Sequence, residues 1–186
     1  MRLRWWPGAV FIAVAAACFT GAHAQPKSDW EITLEERDWQ EGEIKLPDYP
    51  KAQNLIEFES LASSGNFRFF VDSQSLSAGK DGAVRYTLVA RSGSGVENVS
   101  FNGLRCARGT HKVYATGRSD KTWAPVRTGD WKAIQLNSPA RQHVILMRDF
   151  FCPSGVPIMS REEGLDALRK GIHPYAPGNH PGMGRR

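Results

Sequence analysis

From Lys51 onward, apolar residues recur at every second position, the period of a strand whose two faces differ. In "NLIEFE", Leu55 shares a side with Glu57, and Ile56 with Phe58. In "FRFFVD", Phe67, Phe69 and Val71 fall on one face. "SAGKDG" reads as a turn. "AVRYTLVARS" sets Val84, Tyr86, Leu88 and Ala90 against Arg85, Thr87, Val89 and Arg91, the pattern of a half-buried antiparallel strand. Ser92 to Gly95 supplies a hairpin turn, because glycine tolerates positive φ. A phosphate cradle would need a helix after that turn, and Val96 to Phe101 is strand-like instead. "VENVSFNGLRC" returns with Val99 and Phe101 facing one way. "HKVYATGR" and "TWAPV" form a further hairpin around "SDK", and "WKAIQL" is a short additional strand candidate.

The period changes near the C-terminus. Ser138 and Pro139 offer an N-cap and a first-turn proline, and Ala140, Val144, Met147 and Phe151 follow at helical spacing. "HVILMRDFF" within that run also suits a strand, so residues 139–151 stay open between helix and strand, with helix favoured. "SREEGLDALRKG" predicts a helix more firmly. Ser160 and Glu163 make a capping box, acids open the segment, bases close it and Gly171 stops it. Leu165, Leu168 and Ile172 line its apolar side. The fold class is therefore α+β: a single domain dominated by an antiparallel β-sheet, with one or two helices near the C-terminus.

The first residues change the picture by fixing an expected compartment. Arg2 and Arg4 precede an apolar run from Ala9 to Phe19, and Ala22-His23-Ala24 completes a small-x-small cleavage site. Residues 1–24 read as a secretory signal, cut between Ala24 and Gln25. The run is too short for a membrane span, which takes ~20 apolar residues. Ala15-Ala16-Ala17-Cys18 is a poorer match to a lipoprotein box, so a lipid anchor at Cys18 is the minority alternative. The expected location is the periplasm or the outer membrane's surface, with no transmembrane helix after cleavage.

The remaining chain of 162 residues suits one domain with a real core. Its 22 basic and 19 acidic residues are unevenly spread: residues 25–59 hold ten acids and four bases, and the rest is net basic. The bases are dispersed, which argues against nucleic acid. Residues 25–50, with Trp30, Trp39, Pro47, Tyr49 and Pro50, read as an acidic extended arm pinned by aromatic contacts. Residues 51–173 are the expected domain, and 174–186, rich in proline and glycine, a disordered tail.

Export leaves two cysteines, Cys106 and Cys152, and an even pair in an oxidising compartment predicts a disulfide. Neither lies in a C-x-x-C, so redox catalysis and zinc binding lack their spacing. There is no nucleophile elbow, zincin helix, P-loop or Rossmann fingerprint. No catalytic residue, metal ligand or cofactor is assigned. His173 and His180 lie seven apart in a Pro/Gly-rich stretch, where solubility explains them better than metal binding. Trp123, Trp131 and Tyr114 suit a core or a sugar- or lipid-lining cleft.

"LPDYPKAQNLIEF", the run from Phe67 to Cys106, "YATGRSDKTW" and "RDFFCP" together resemble the conserved neisserial-protein-like (CNP-like) family of Gram-negative envelope proteins. The resemblance covers most of residues 46–153. It implies secretion, a compact single domain and no established enzymatic role, and it supplies no catalytic residues. The expected function is a non-enzymatic binding or structural module of the cell envelope whose partner, protein, lipid or glycan, is unidentified. One rival is a small envelope hydrolase using His143 or His111 with Asp149 or Asp130. Another is a lipid or glycan carrier, which requires an apolar cavity between sheet and helices.

Overall fold

A computed structural model describes residues 39–59, 66–127, 129–135 and 141–177. The expected signal segment with Cys18 and the Ala24–Gln25 bond, Trp30, the expected Ser138-Pro139 cap and His180 lie outside those residues. The strands are β1 (Leu55–Phe58), β2 (Phe67–Asp72), β3 (Ser77–Ala78), β4 (Ala83–Ser92), β5 (Glu97–Arg105), β6 (Thr110–Gly117), β7 (Trp123–Pro125) and β8 (Lys132–Ala133). They form one antiparallel sheet in the order β1-β2-β4-β5-β6-β7, with β3 on β4 and β8 on β6. The Ser92 to Gly95 turn is a hairpin: Gly95 sits at φ 87° and β5 follows it. Among its described residues "WKAIQL" contributes Lys132–Ala133, and "SAGKDG" is not all turn, since its first two residues pair with β4.

Residues 139–151 resolve as helix where they are described. α1 (Arg141–Ile145) runs into a π-helical stretch, Leu146–Phe151. There the Cys152 N–H reaches back five residues to Met147 O at 2.8 Å. The wider turn carries Leu146, Phe150 and Phe151 into the core. α2 (Arg161–Lys170) starts at Ser160, whose Oγ accepts the Glu163 N–H at 3.1 Å, and ends at Gly171 with φ 81°.

The helices pack on one face of the sheet, where Val71, Tyr86, Leu104, Phe151 and Leu168 join one cluster. Full burial of each such side chain contributes roughly 1.5–3 kcal/mol. The expectation of a half-buried β4 is corrected: Arg85, Thr87 and Val89 on its second face are buried too. The reason is the N-terminal arm. Residues 39–50 have no regular structure but lie over that face. Trp39 meets Trp131 edge-on at 5.7 Å, and Tyr49 packs on Trp123 at 5.3 Å. Trp123 Nε1–H donates to Pro47 O at 2.8 Å. Phe67 shares the face of Phe69, on which it stacks, but is 40% exposed, because it pairs with Ser92 at the hairpin end of the sheet.

A bulge at Tyr114 helps hold the arm. Phe101 pairs with Ala115 but Asn102 pairs with Val113, so Tyr114 is the extra residue and swings to the arm side. Gly103 leaves room for it. A Cβ there would stand 2.6 Å from Tyr114 Oη and 2.9 Å from the Trp131 ring. Gly103→Val is therefore expected to lower unfolding free energy by about 1–3 kcal/mol through overpacking, measurable by urea denaturation.

The chain after α2 makes contacts with the domain. His173 is buried, its N–H donates to Asp149 O at 2.8 Å, and Ala176 is buried behind it. Ser154 Oγ–H donates to Tyr175 O at 3.2 Å. Ala176 thus packs on the domain while Pro174, Tyr175 and Pro177 are exposed, and 178–186 lie outside the described residues.

Candidate functional site

The two predicted cysteines meet. Cys106, just after β5, and Cys152, just after the π turn, form a disulfide with Cα atoms 5.4 Å apart. It joins sheet to helical layer.

The structure brings together half of the site that the rival hydrolase reading would use. His111 on β6 and His143 on α1 stack at 4.6 Å with their rings 14° apart. His143 Nδ1 shares a 2.8 Å hydrogen bond with Tyr86 Oη. The carboxylates do not join them. Both Asp149 oxygens accept from Arg148, at 2.6 and 2.7 Å, and Asp130 is exposed and makes no bond to either ring. Burial, with His111 beside it, pushes His143 down to about 3. Burial and Lys132 also lower His111. Burial raises the Tyr86 phenol. A buried imidazole that resists protonation, with no carboxylate to orient it, does not make a general-base site.

His173, expected in a loose tail, is instead a structural post. Its Nδ1 accepts the Tyr175 N–H at 3.2 Å, so Nε2 carries the proton and faces Glu163 Oε1 at 3.0 Å. The other Glu163 oxygen accepts the Met159 N–H at 2.6 Å. One carboxylate thus caps α2 and fastens the chain after it. Among the described residues no group of three His, Cys, Asp or Glu side chains is arranged to hold a metal ion.

On the arm face a charged network bolts the arm down. Asp81 accepts from Arg85 Nη1 at 3.0 Å and from Gly42 N–H at 2.8 Å. Burial raises the Asp81 carboxyl, but the Arg85, Gly42 and Ala83 hydrogen bonds outweigh it and hold it at about 2. Glu41 accepts from Lys112 Nζ at 2.7 Å and Tyr114 Oη at 2.8 Å. Arg105 lies 4.0 Å over the Trp39 ring. Tyr114, Trp123 and Trp131 are accordingly arm-packing core residues.

Two clefts flank the arm where it turns into β1. One, of about 490 Å³, is lined by Asp48, Tyr49, Gln53, Asn54, Asp72 and Gln74, with Lys51 between it and its neighbour. The other, of about 460 Å³, has Tyr49, Leu55 and Val89 as apolar walls and Lys51, Arg91 and Lys121 as cations. Lys121 holds a left-handed φ of 61° there, in the turn closed by its N–H to Arg118 O at 3.0 Å. Strand alternation explains Asp72. It follows Phe70 on the arm face and ends β2 in a turn where its Oδ2 accepts the Ser75 N–H at 3.0 Å. Ser73 N–H donates to Asn54 O at 2.9 Å, which draws the Gln53-Asn54 segment to the same end of the sheet. Sequence reasoning missed this cleft. Its one legible signal was an acid ending an apolar strand before Ser-Gln-Ser.

The CNP1-like family model matches residues 34–169. That span holds every strand, the two clefts, both cysteines and nearly all of α2, and so reaches beyond the resemblance that ended at residue 153. The chain is 28% identical over 163 residues to Cryptic neisserial protein 1 of Neisseria gonorrhoeae (strain ATCC 700825 / FA 1090), covering 78% of each chain. No solved structure matches it. With the family model spanning the sheet, the disulfide and the clefts, the protein belongs to the CNP1-like family.

Proposed function

We propose that this chain is an exported, non-enzymatic binding module of the cell envelope, seated in the periplasm or on the outer membrane, with its ligand site in the clefts beside Tyr49. The observation that carries this reading is a separation. The hydrolase alternative rests on the imidazole pair, and an enzyme would place that pair in its cleft. Here the imidazole pair belongs to the helix-covered face, with Tyr86, whereas both clefts open on the arm face, with Asp72 and Val89. The Cys106–Cys152 bond supports export, since such bonds persist in oxidising compartments. The reading of a lipid or glycan carrier with its cavity between sheet and helices is disfavoured, because Tyr86, Leu146, Phe150 and Phe151 fill that space.

Two measurements test the proposal. The intact mass of the exported product should begin at Gln25; a lipidated Cys18 would replace that with a membrane anchor. A photo-crosslinking residue placed at Gln53 in the native envelope should capture a saturable partner, and one at Glu162, exposed on α2, should not. Equal capture at both positions would remove the clefts from the function.

A further inference from the structure

We infer that the polar cleft takes a hydroxyl-rich ligand, a glycan segment, with Asp72 as the buried acceptor at its floor. The inference rests on the binding-module reading and names the ligand class. Asp72 is only 2% exposed and lines the cleft. One of its oxygens is satisfied by the Ser75 N–H. The other, Oδ1, has no hydrogen-bond partner among the described residues. Val71 pairs with Leu88, so the next step of the register sets Thr87 beside Asp72 on the same face. Thr87 is fully buried, and its Oγ1 is unpartnered too. Buried polar atoms left unpaired cost ~1–3 kcal/mol each, and most native ones find a partner. Asp72 Oδ1 is such an atom in a side chain that lines the cleft, and it indicates a guest that brings a donor.

Three guests can donate to a carboxylate. A divalent cation needs more ligands than this cleft supplies; only Asp48 and Asp72 are carboxylates. An organic ammonium would enter beside Lys51, which lines the same cleft and repels it. A hydroxyl carries no charge. It donates to Asp72 and accepts from an amide or an ammonium. Gln53, Asn54 and Gln74 supply amides of both kinds around the opening, and the Tyr49 ring offers an apolar surface for the C–H face of a sugar. The volume of about 490 Å³ lies in the range that encloses small ligands. A lipid chain suits the neighbouring cleft, with its Leu55 and Val89 walls, better than this one.

The test uses the whole exported chain, 15N-labelled with its disulfide intact. It is titrated with N-acetylglucosamine trimer and with maltotriose, and separately with calcium chloride and with cadaverine, each to about 10 mM. Saturable amide shifts confined to residues 47–54 and 72–75 are expected with at least one oligosaccharide. Asp72→Asn keeps the acceptor for Ser75 and should weaken that binding about tenfold. Gln53 and Gln74 are exposed, so Gln53→Ala and Gln74→Ala leave folding intact and should weaken it severalfold. Absence of saturable shifts with both oligosaccharides overturns the inference. So does saturation by calcium or cadaverine alone, or sugar binding indifferent to all three substitutions. If crosslinking at Gln53 succeeds while both sugars fail, the ligand class is wrong and the binding-module reading stands.

Discussion

Replacing Cys106 and Cys152 together with serine is expected to lower the unfolding free energy by roughly 2–5 kcal/mol. The bond spans a sequence separation of 46 residues. Closing a loop of that length removes chain entropy worth roughly 4 kcal/mol from the unfolded ensemble. The native side adds to this. Cys106 is 7% and Cys152 3% exposed, so two hydroxyls would replace a sulfur bridge in an apolar cluster with Leu104 and Phe151. The loss should appear first in the helical layer. The stretch from α1 to α2 is joined to the sheet by this bond, by side-chain packing and by few long-range hydrogen bonds, such as Arg161 Nε–H to Ser73 O at 3.0 Å. Hydrogen exchange with the double variant should therefore show residues 141–170 opening before β4 and β5. Urea denaturation of the oxidised and the dithiothreitol-reduced wild type gives the same difference without mutation. An equal midpoint in both states would show that the bond constrains nothing. Activity or ligand binding lost with the bridge would have to be judged against this loss of fold.

The sheet was legible because most of its code is local. Alternation in β4 and the glycine turn after it name a hairpin before any partner strand is known. The capping box did the same for α2: Ser160 and Glu163 act on each other within one turn. What stayed hidden depends on partners far along the chain. Arg85 reads as a solvent-facing residue until the arm, tied through Gly42 to its partner Asp81, covers it. His173 reads as tail until Glu163, already used as a cap, is seen to spare its second oxygen. The imidazole stack joins residues 32 apart in sequence, and no spacing rule links a strand histidine to a helix histidine. The cleft is harder still. Asp72 stands out only for the hydrogen bond its Oδ1 does not make among the described residues, and unpaired atoms leave no trace in a sequence.

His143 should make the protein acid-sensitive in a defined window. A histidine in the unfolded chain titrates near ~6.5. Burial and His111 hold the native one at about 3. Between those values the unfolded state binds a proton that the native state refuses, so stability rises with pH and is lost as pH falls from the upper value toward the lower. Linkage gives a loss of about 2 kcal/mol by pH 5 and about 3 kcal/mol by pH 4 relative to neutral pH, from this one group. His111 is lowered as well and acts in the same direction. Asp81 acts lower on the scale. Its carboxyl is held at about 2, so its contribution is complete above the ordinary carboxylate range and fades only as pH falls toward that value. The two can be separated by substitution. His143→Gln keeps a neutral acceptor and donor for Tyr86 Oη but cannot take up a proton. It should be less stable than wild type at pH 7, because the ring stack on His111 is gone, and the gap should narrow by about 2 kcal/mol by pH 5. Urea denaturation at pH 7, 6, 5 and 4 measures it. A gap that stays constant across that series would mean the native imidazole takes up its proton as readily as the unfolded one, and that the sheet–helix interface admits water to His143.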